Sequence, residues 1–188
     1  MLIIITLFLL QSTYTTSMKI QYPNALSDRA TILKNIRNLQ KGSNGFDMRG
    51  IIDFEVTSTS NIAAEGPALS LESTFWIGFG FARWLRLEEQ NVKNIIVGIG
   101  RDSRKSGLLL SDWIAGGLKA GGASVIDVGL CTTPAMYYSC LPSDSYSRGP
   151  FHGGISITAS HLPSKWNGFK FFTPSMPTNI GSLGASLK

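Results

Sequence analysis

Residues 153–172 read GGISITASHLPSKWNGFKFF, and this stretch decides the predicted fold. Its first five letters, two glycines and then isoleucines that alternate with a small polar residue, indicate a buried strand. A polar loop follows, which contains a proline and closes at an Asn-Gly turn, and GFKFF then predicts a second strand that carries Lys170. Ser160 and His161 therefore lie at the end of a buried strand, where open α/β sheets place their chemistry.

An isolated Ser-His pair is usually an ordinary loop, because nucleophile and base normally come from separate parts of a chain. The complete string carries more information: T-A-S-H-x-P followed by N-G-F-K resembles the phosphoserine loop of the α-D-phosphohexomutases, the phosphoglucomutase/phosphomannomutase family. In that family the serine carries the phosphoryl group that is passed to a sugar phosphate, so the resemblance implies this role for Ser160. Leu162 stands where the family usually has asparagine.

A second segment, GFDMRGI at residues 45–51, resembles the [YF]-D-[IM]-R-G segment of the same family. There the arginine enters the active site beside the phosphoserine, and the resemblance implies the same place for Arg49. The residues alone allow another interpretation, a turn in which Asp47 and Arg49 form an ion pair that contributes little if it is exposed.

A third segment begins with residues 94–100, NIIVGIG, whose β-branched content predicts a buried strand, and continues as GRDSRKSG at residues 100–107. One interpretation is nucleotide binding, because residues 98–103, which read G-x-G-x-x-S, approach the dinucleotide-binding fingerprint, although Ser103 stands where its third glycine would be. The segment also resembles the G-x-D-x-R-x-S-G motif of the phosphohexomutases. That resemblance implies three residues that support and line the catalytic cleft: Arg101, Asp102 and Arg104.

A fourth segment, DVGLCTTP at residues 127–134, resembles the D-x-G-x-x-[ST]-T-P segment of the family. It predicts a helix that has Thr133 as its N-cap and proline at its first helical position. Cys131 and Cys140 are the two cysteines of the chain, and their spacing fits no zinc site. We expect both to be buried thiols and not a disulfide.

The whole pattern predicts an α/β fold, specifically a three-layer α/β/α sandwich with a mixed, mostly parallel sheet, because strands alternate with helices through short links. The strand after Asn167 is the candidate for antiparallel pairing. The predicted segments are an apolar leader at 1–17, a helical extension at 18–39, the α/β/α domain at 40–173 and a disordered tail at 174–188.

The 188-residue chain carries a net charge of +5 and has no Asp or Glu after Asp144. This bias suits ligands that carry phosphate, whereas a nucleic-acid surface would show clustered basic residues with interleaved aromatics, so no nucleic-acid partner is expected. The apolar run from Leu2 to Leu10 is too short to span a membrane, and it suits a signal peptide, a transit peptide or a misassigned start. We expect a cytoplasmic or plastid location and not a secreted one.

The resemblance also implies a reaction, in which the serine phosphate moves to a hexose 1- or 6-phosphate and the other phosphate of the resulting bisphosphate returns to the serine. Mg²⁺ and cations such as Arg49, Lys170 and His161 would balance the charge of the phosphoserine, with Lys170 as general acid or base. Glucose 1,6-bisphosphate is the implied activator.

The family's metal-binding D-x-D-x-D run and its sugar-selecting G-E-x-S-G loop do not occur in this sequence. We therefore expect the first domain of a phosphohexomutase alone, a truncated chain without mutase turnover by itself. The alternative is a non-catalytic binding or regulatory remnant of the family.

Overall fold

The computed structural model describes residues 29–41, 47–52, 66–141, 151–174 and 176–177. Its helices and strands follow one another in the order α1 (Arg29–Lys41), β1 (Asp47–Ile51), α2 (Leu71–Glu88), β2 (Ile96–Arg101), α3 (Gly107–Ala120), β3 (Ser124–Leu130), α4 (Thr133–Tyr138), β4 (Gly153–Ile157), β5 (Trp166–Thr173) and β6 (Met176–Pro177). The predicted leader at 1–17 and most of the predicted tail lie outside the described residues.

The strands form one sheet in the order β1-β5-β4-β2-β3, and β6 adds to β5. Strands β4, β2 and β3 are parallel, while β5 pairs antiparallel with β1, β4 and β6. Of the strands in the described ranges, β5 is therefore the single one that runs against the rest. The prediction of a mixed, mostly parallel sheet with an antiparallel strand after Asn167 is confirmed. Ser160 follows β4, the middle strand of the row.

Two apolar clusters cover the two faces of the sheet. The larger cluster joins α1, α2 and α3 to strand residues such as Val97 and Phe171, and the smaller one packs Met136 of α4 against Phe151 and Phe172. Neighbouring strand residues such as Phe171 and Phe172 belong to different clusters, because successive side chains of a strand point to opposite faces. The predicted three-layer α/β/α architecture is confirmed.

Two glycines of β2 face α4, and they allow the smaller cluster to pack closely. A Cβ on Gly98 would lie 2.5 Å from the ring of Phe151, and a Cβ on Gly100 would lie 2.6 Å from the Cβ of Cys131. Side chains at these positions would therefore push the covering layer away from the sheet. This packing explains the G-x-G pattern without any bound nucleotide.

Helix α2 begins with Ser70 as its N-cap, and the side chain of Ser70 accepts a hydrogen bond from the Ser73 N–H at 3.1 Å. The prediction for α4 was wrong by one residue: Thr132 is the N-cap, its Oγ1 accepting from the Ala135 N–H at 3.3 Å. Proline therefore occupies the second helical position. The hydroxyl of Thr133 is instead within hydrogen-bond distance of the Ser156 hydroxyl, at 3.1 Å.

Residues 47–51 form a strand, so the interpretation of Asp47 and Arg49 as a turn was wrong. The strand pairs with β5 from Asp47 opposite Lys170 to Ile51 opposite Trp166. Its pattern is too short and too polar to predict a strand, since only Met48 and Ile51 are large and apolar.

Strand β6 pairs with the same side of β5 as β1 does, but with residues that β1 does not contact: Met176 pairs with Thr173 and Pro177 with Phe172. The predicted tail therefore begins within the sheet.

Cys131 and Cys140 are free thiols, as predicted, but the expectation that both are buried was wrong for Cys131, which is half-buried. Cys140 is buried beside α4, and this burial raises the pKa of its thiol to about 12. Within the described part of the chain, no helix combines the length and the apolar character that crossing a membrane requires.

Candidate active site

Ser160 is exposed in the loop between β4 and β5, at the edge where the parallel strands end. Its φ of +57° is left-handed, and no other non-glycine residue in the described ranges has a positive φ. This conformation costs an L-residue about 1 to 2 kcal/mol. It persists only where surrounding contacts hold it, and such residues cluster at functional sites.

The backbone N–H of Ser160 is held by a relay of two side chains. It donates to Thr158 Oγ1 at 2.9 Å, and the Thr158 hydroxyl in turn donates to Asp102 Oδ2 at 2.8 Å. Asp102 follows the end of β2, whose residues Gly100 and Arg101 pair with β4, so the topology brings the two segments together. The carboxylate of Asp102 thereby fixes the chain at Ser160 from the neighbouring strand.

The carbonyl of Ser160 is held by Arg104, whose Nη2 donates to it at 2.8 Å. The same nitrogen donates to the Leu162 carbonyl at 2.8 Å, and Nη1 donates to the carbonyls of Pro163 and Trp166 at 2.8 and 3.0 Å. Nε donates to Asp102 Oδ2 at 3.0 Å. Arg104 therefore sits inside the loop and holds four of its carbonyls.

Arg49 approaches the same loop from β1. Its Nε donates to Asp47 Oδ2 at 2.6 Å, and its Nη1 donates to the carbonyl of Ala159 at 3.3 Å. The side chains of Asp47 and Arg49 are 4% and 17% exposed, so this ion pair is largely buried. A buried pair fixes orientation more firmly than an exposed one. The guanidinium is thus placed next to the residue that precedes Ser160.

Lys170 lies on β5, opposite Asp47 of β1 and opposite Ser156 of β4. Directly opposed residues share a face of an antiparallel pair, so Asp47, Lys170 and Ser156 form a polar row on the face that α4 covers. Arg49 belongs to the same face, since Met48 between it and Asp47 joins the larger cluster on the opposite face. The structure therefore brings Arg49 and Lys170 to one side of the sheet.

The structure separates Arg101 from these two cations. Gly100 faces α4, so Arg101 points to the opposite face, and its Cδ lies 3.4 Å from where a Cβ of Gly107 would sit, at the start of α3. Its Nε is buried and has no hydrogen-bond partner in the described ranges. His161 follows Ser160 directly and is exposed. The seven predicted site residues thus gather at one edge of the sheet but on two faces.

The chain is similar to known proteins of one family. The family model described as phosphoglucomutase/phosphomannomutase, alpha/beta/alpha domain I, matches residues 51–179. The chain belongs to this family. The predicted family and fold are both confirmed, and Arg49 lies just before the matched range.

Individual members of the family give the same result. A phosphoglucomutase/phosphomannomutase from Thermococcus kodakarensis is 35% identical over 130 residues, which are 69% of this chain and 24% of that protein. A phosphoglucosamine mutase from a Picosynechococcus species is 36% identical over 118 residues, which are 63% of this chain and 23% of that protein. A solved structure of a phosphoglucomutase/phosphomannomutase family protein from Burkholderia thailandensis has a TM-score of 0.56 and 27% identity, and the match covers 74% of this chain and 27% of that one. The chain spans about a quarter of the length of the curated relatives it matches.

Sequence reasoning gave no role in the site to two residues that shape it in this phosphohexomutase domain. Thr158 carries the relay to Ser160, and the buried Asn167 donates from Nδ2 to Ser106 Oγ at 2.8 Å, which ties the start of β5 to the start of α3. The signals were present, since Thr158 belongs to the quoted T-A-S-H string and Asn167 to the Asn-Gly turn. Only a structure shows where their side chains point.

The described residues of this chain do not provide the donors that the Mg²⁺ implied by the family resemblance requires. Mg²⁺ prefers about six oxygen ligands in octahedral geometry and is normally held by carboxylates. The two carboxylates near Ser160, those of Asp47 and Asp102, are each bound to an arginine. No group of three or more His, Cys, Asp or Glu side chains in the described ranges could hold a metal ion. A phosphate on Ser160 would be a single ligand, well short of the set that Mg²⁺ requires.

Proposed function

We propose that Ser160 is the residue that carries the phosphoryl group in an intramolecular phosphotransferase acting on hexose phosphates. The observation that supports this role best is the combination of an exposed hydroxyl with a backbone fixed in a left-handed conformation. Both peptide groups of Ser160 are held, one through Thr158 and one by Arg104. A nucleophile on such a backbone can be phosphorylated and dephosphorylated without rebuilding the loop.

The proposed step breaks one O–P bond and forms another. The bond between the Ser160 Oγ and phosphorus breaks, and the free hydroxyl of a hexose monophosphate bonds to phosphorus. The sugar hydroxyl gives up its proton and the Ser160 Oγ takes one up, which restores the serine hydroxyl. Phosphoryl transfer depends mainly on positioning and on charge balance, so cations on the face next to Ser160 are the main contribution of the domain. Arg49 and Lys170 are the proposed cations.

Further roles in the proposal follow from position. Lys170 acts as general acid or base, because it is the lysine of the polar row next to Ser156. His161 is exposed beside Ser160 and donates a hydrogen bond to the phosphate or carries a proton. Asp102 and Arg104 support the loop. Arg101 supports the start of α3 from the opposite face.

The proposal is tested by phosphate transfer from glucose 1,6-bisphosphate, the activator implied for the family. The full chain is incubated with bisphosphate labelled at phosphorus, and the labelled residue is located by mass spectrometry. Ser160→Ala should abolish the label. Ser164→Ala is the matched control, because Ser164 is an exposed serine of the same loop, and it should leave the label in place.

Label that persists in Ser160→Ala, or that appears on Ser164, would refute the assignment. A wild-type chain that binds glucose 1,6-bisphosphate and never takes up label would favour the alternative, a non-catalytic binding or regulatory domain. The comparison needs wild type and both variants at equal folded concentration, because an unfolded variant would also lose its label.

A further inference from the structure

We infer that Arg104 is a positioning residue, which holds the Ser160 loop through backbone carbonyls and does not bind the phosphate of the substrate. This inference rests on the proposed function of Ser160, because a positioning role has meaning only for a reacting group. It concerns a basic residue for which the family motif implies support or lining of the cleft, without deciding between a structural role and contact with a ligand.

The hydrogen-bond donors of Arg104 are fully used. A guanidinium has five N–H donors in a fixed planar fork. Two on Nη1 reach the carbonyls of Pro163 and Trp166, two on Nη2 reach those of Ser160 and Leu162, and the Nε donor reaches Asp102. No donor remains for a phosphate oxygen unless one of these bonds breaks.

The acceptors show what the five bonds accomplish. Four of them are backbone carbonyls: three lie in the loop that joins β4 to β5, and the fourth belongs to Trp166, the first residue of β5. Within this loop the backbone makes two short-range turns, from the Leu162 N–H to the Ala159 carbonyl and from the Trp166 N–H to the Pro163 carbonyl, and one long-range bond, in which the Lys165 carbonyl accepts from the Ile52 N–H at 2.9 Å. Hydrogen bonds from a charged donor are stronger than neutral ones, and Arg104 bonds more carbonyls of this segment than any other described side chain does, so it contributes most to the shape of the loop.

Arg104 is itself oriented by Asp102. The Arg104 N–H donates to Asp102 Oδ1 at 3.0 Å and its Nε donates to Oδ2, so both carboxylate oxygens face the arginine. Oδ2 also accepts from Thr158, which accepts from the Ser160 N–H. The carbonyl and the N–H of Ser160 are thus linked to the same ion pair. This closed network holds the left-handed conformation before any ligand arrives.

The test replaces Arg104 by lysine in the full chain. Lysine keeps the charge but presents three N–H donors on one compact ammonium group, which cannot reach four separated carbonyls and Asp102 together. Arg86→Lys is the matched control, because Arg86 also bonds a backbone carbonyl, that of Gly122, at the far end of α3. Circular dichroism confirms that both variants fold.

Two measurements follow on the folded variants. Hydrogen exchange of residues 158–166 should become at least about 10-fold faster in Arg104→Lys and stay unchanged in Arg86→Lys. The maximal rate of Ser160 labelling by glucose 1,6-bisphosphate should fall about 10- to 100-fold, which is the usual cost of a small misplacement of reacting groups. The half-saturating bisphosphate concentration should change less than about 3-fold, because the positioning residue touches no ligand.

Two results would overturn the inference: unchanged exchange in the loop of Arg104→Lys, or a half-saturating concentration raised about 10-fold at an unchanged maximal rate. If Arg104→Lys fails to fold, the inference is tested by NMR on the wild-type chain during titration with inorganic phosphate. The Arg104 Nε–H resonance should not shift while resonances of other residues report phosphate binding, because Arg104 does not bind the phosphate. If wild-type Ser160 takes no label, the proposed function fails, and the exchange and phosphate measurements still decide whether Arg104 holds the loop.

Discussion

Replacing Thr158 by valine tests how much the relay to Ser160 contributes. Valine has nearly the shape of threonine, so the change removes the hydroxyl and leaves the packing of this buried position intact. Two hydrogen bonds are lost, one donated to the Asp102 carboxylate and one accepted from the Ser160 N–H. We expect the unfolding free energy to fall, and the labelling of Ser160 to slow.

The expected magnitude follows from what each partner loses. Asp102 keeps both hydrogen bonds from Arg104, and the N–H of Ser160, an exposed residue, can bond to water after the Thr158 hydroxyl is removed, so neither group is left without a partner. The bond to the charged carboxylate contributes about 1.5 to 2 kcal/mol and the neutral one about 1 kcal/mol, for a total near 2.5 to 3 kcal/mol. With a urea m-value of about 2 kcal/mol per molar, the unfolding midpoint should shift down by roughly 1.2 to 1.5 M.

The assay is urea unfolding followed by tryptophan fluorescence, together with the labelling rate at saturating glucose 1,6-bisphosphate. Thr158→Ser is the matched control, because it keeps the hydroxyl and loses one methyl group, at a cost of about 1 kcal/mol. If Thr158→Val and Thr158→Ser unfold at the same urea concentration and take up label equally fast, the relay contributes nothing and the reasoning fails.

Three further predictions concern the helix pair, the buried thiol and turnover. Gly117→Ala should lower the melting temperature by about 6 to 12 °C, because the new Cβ would overlap the carbonyl of Phe75 in α2 and cost about 3 kcal/mol of unfolding free energy. Gly107→Ala is the control and should change the melting temperature little, because its Cβ would meet nothing closer than 3.4 Å. The pKa of the Cys140 thiol is raised to about 12 from 9.0, so its contribution to stability is complete below pH 9.0 and is lost as the pH rises towards 12. Cys140→Val should remove this loss of unfolding free energy at alkaline pH, and urea unfolding at a series of pH values measures it. The purified chain should show no catalytic turnover of glucose 1-phosphate in a coupled assay with Mg²⁺ and glucose 1,6-bisphosphate, because its described residues assemble no metal site to speed repeated transfer, whereas the labelling of Ser160 is a single transfer followed over a long incubation. Turnover near about 1 s⁻¹ would contradict this.

The sequence predicted the architecture well because the decisive patterns are local. Alternating residues in β4, the continuous apolar run of β2 and the cap at Ser70 each determine one element through contacts within a few residues. The position of Ser160 at the end of the central strand follows from that order. The elements that sequence reasoning missed depend on distant partners: β1 is a strand because β5 presents an edge to it, and β6 exists because Phe172 and Thr173 extend beyond β1.

The candidate site was predictable in composition and not in the roles of its members. Arg49, Arg101 and Arg104 all occur in motif segments, and nothing in their spacing distinguishes a residue that shapes a loop from one that meets a ligand. Their side chains face different surroundings, since strand alternation sends Arg101 to the α3 side and Arg49 to the α4 side. Which carbonyls and carboxylates a guanidinium reaches depends on how segments far apart in the chain pack together.

Arg104 and Arg49 differ in how many of their guanidinium N–H donors are already bonded to the protein. Arg104 commits all five N–H groups to Asp102 and the loop, so it is structural. Arg49 commits Nε and Nη2 to Asp47 and Nη1 to one carbonyl at 3.3 Å, which leaves donors for an anion at the face that Lys170 shares. Because phosphoryl transfer needs a fixed nucleophile as well as uncommitted cations, the two functions fall to different arginines. Arg104, which holds the backbone of Ser160 in place, thereby has no free donor for the group with which Ser160 is proposed to react.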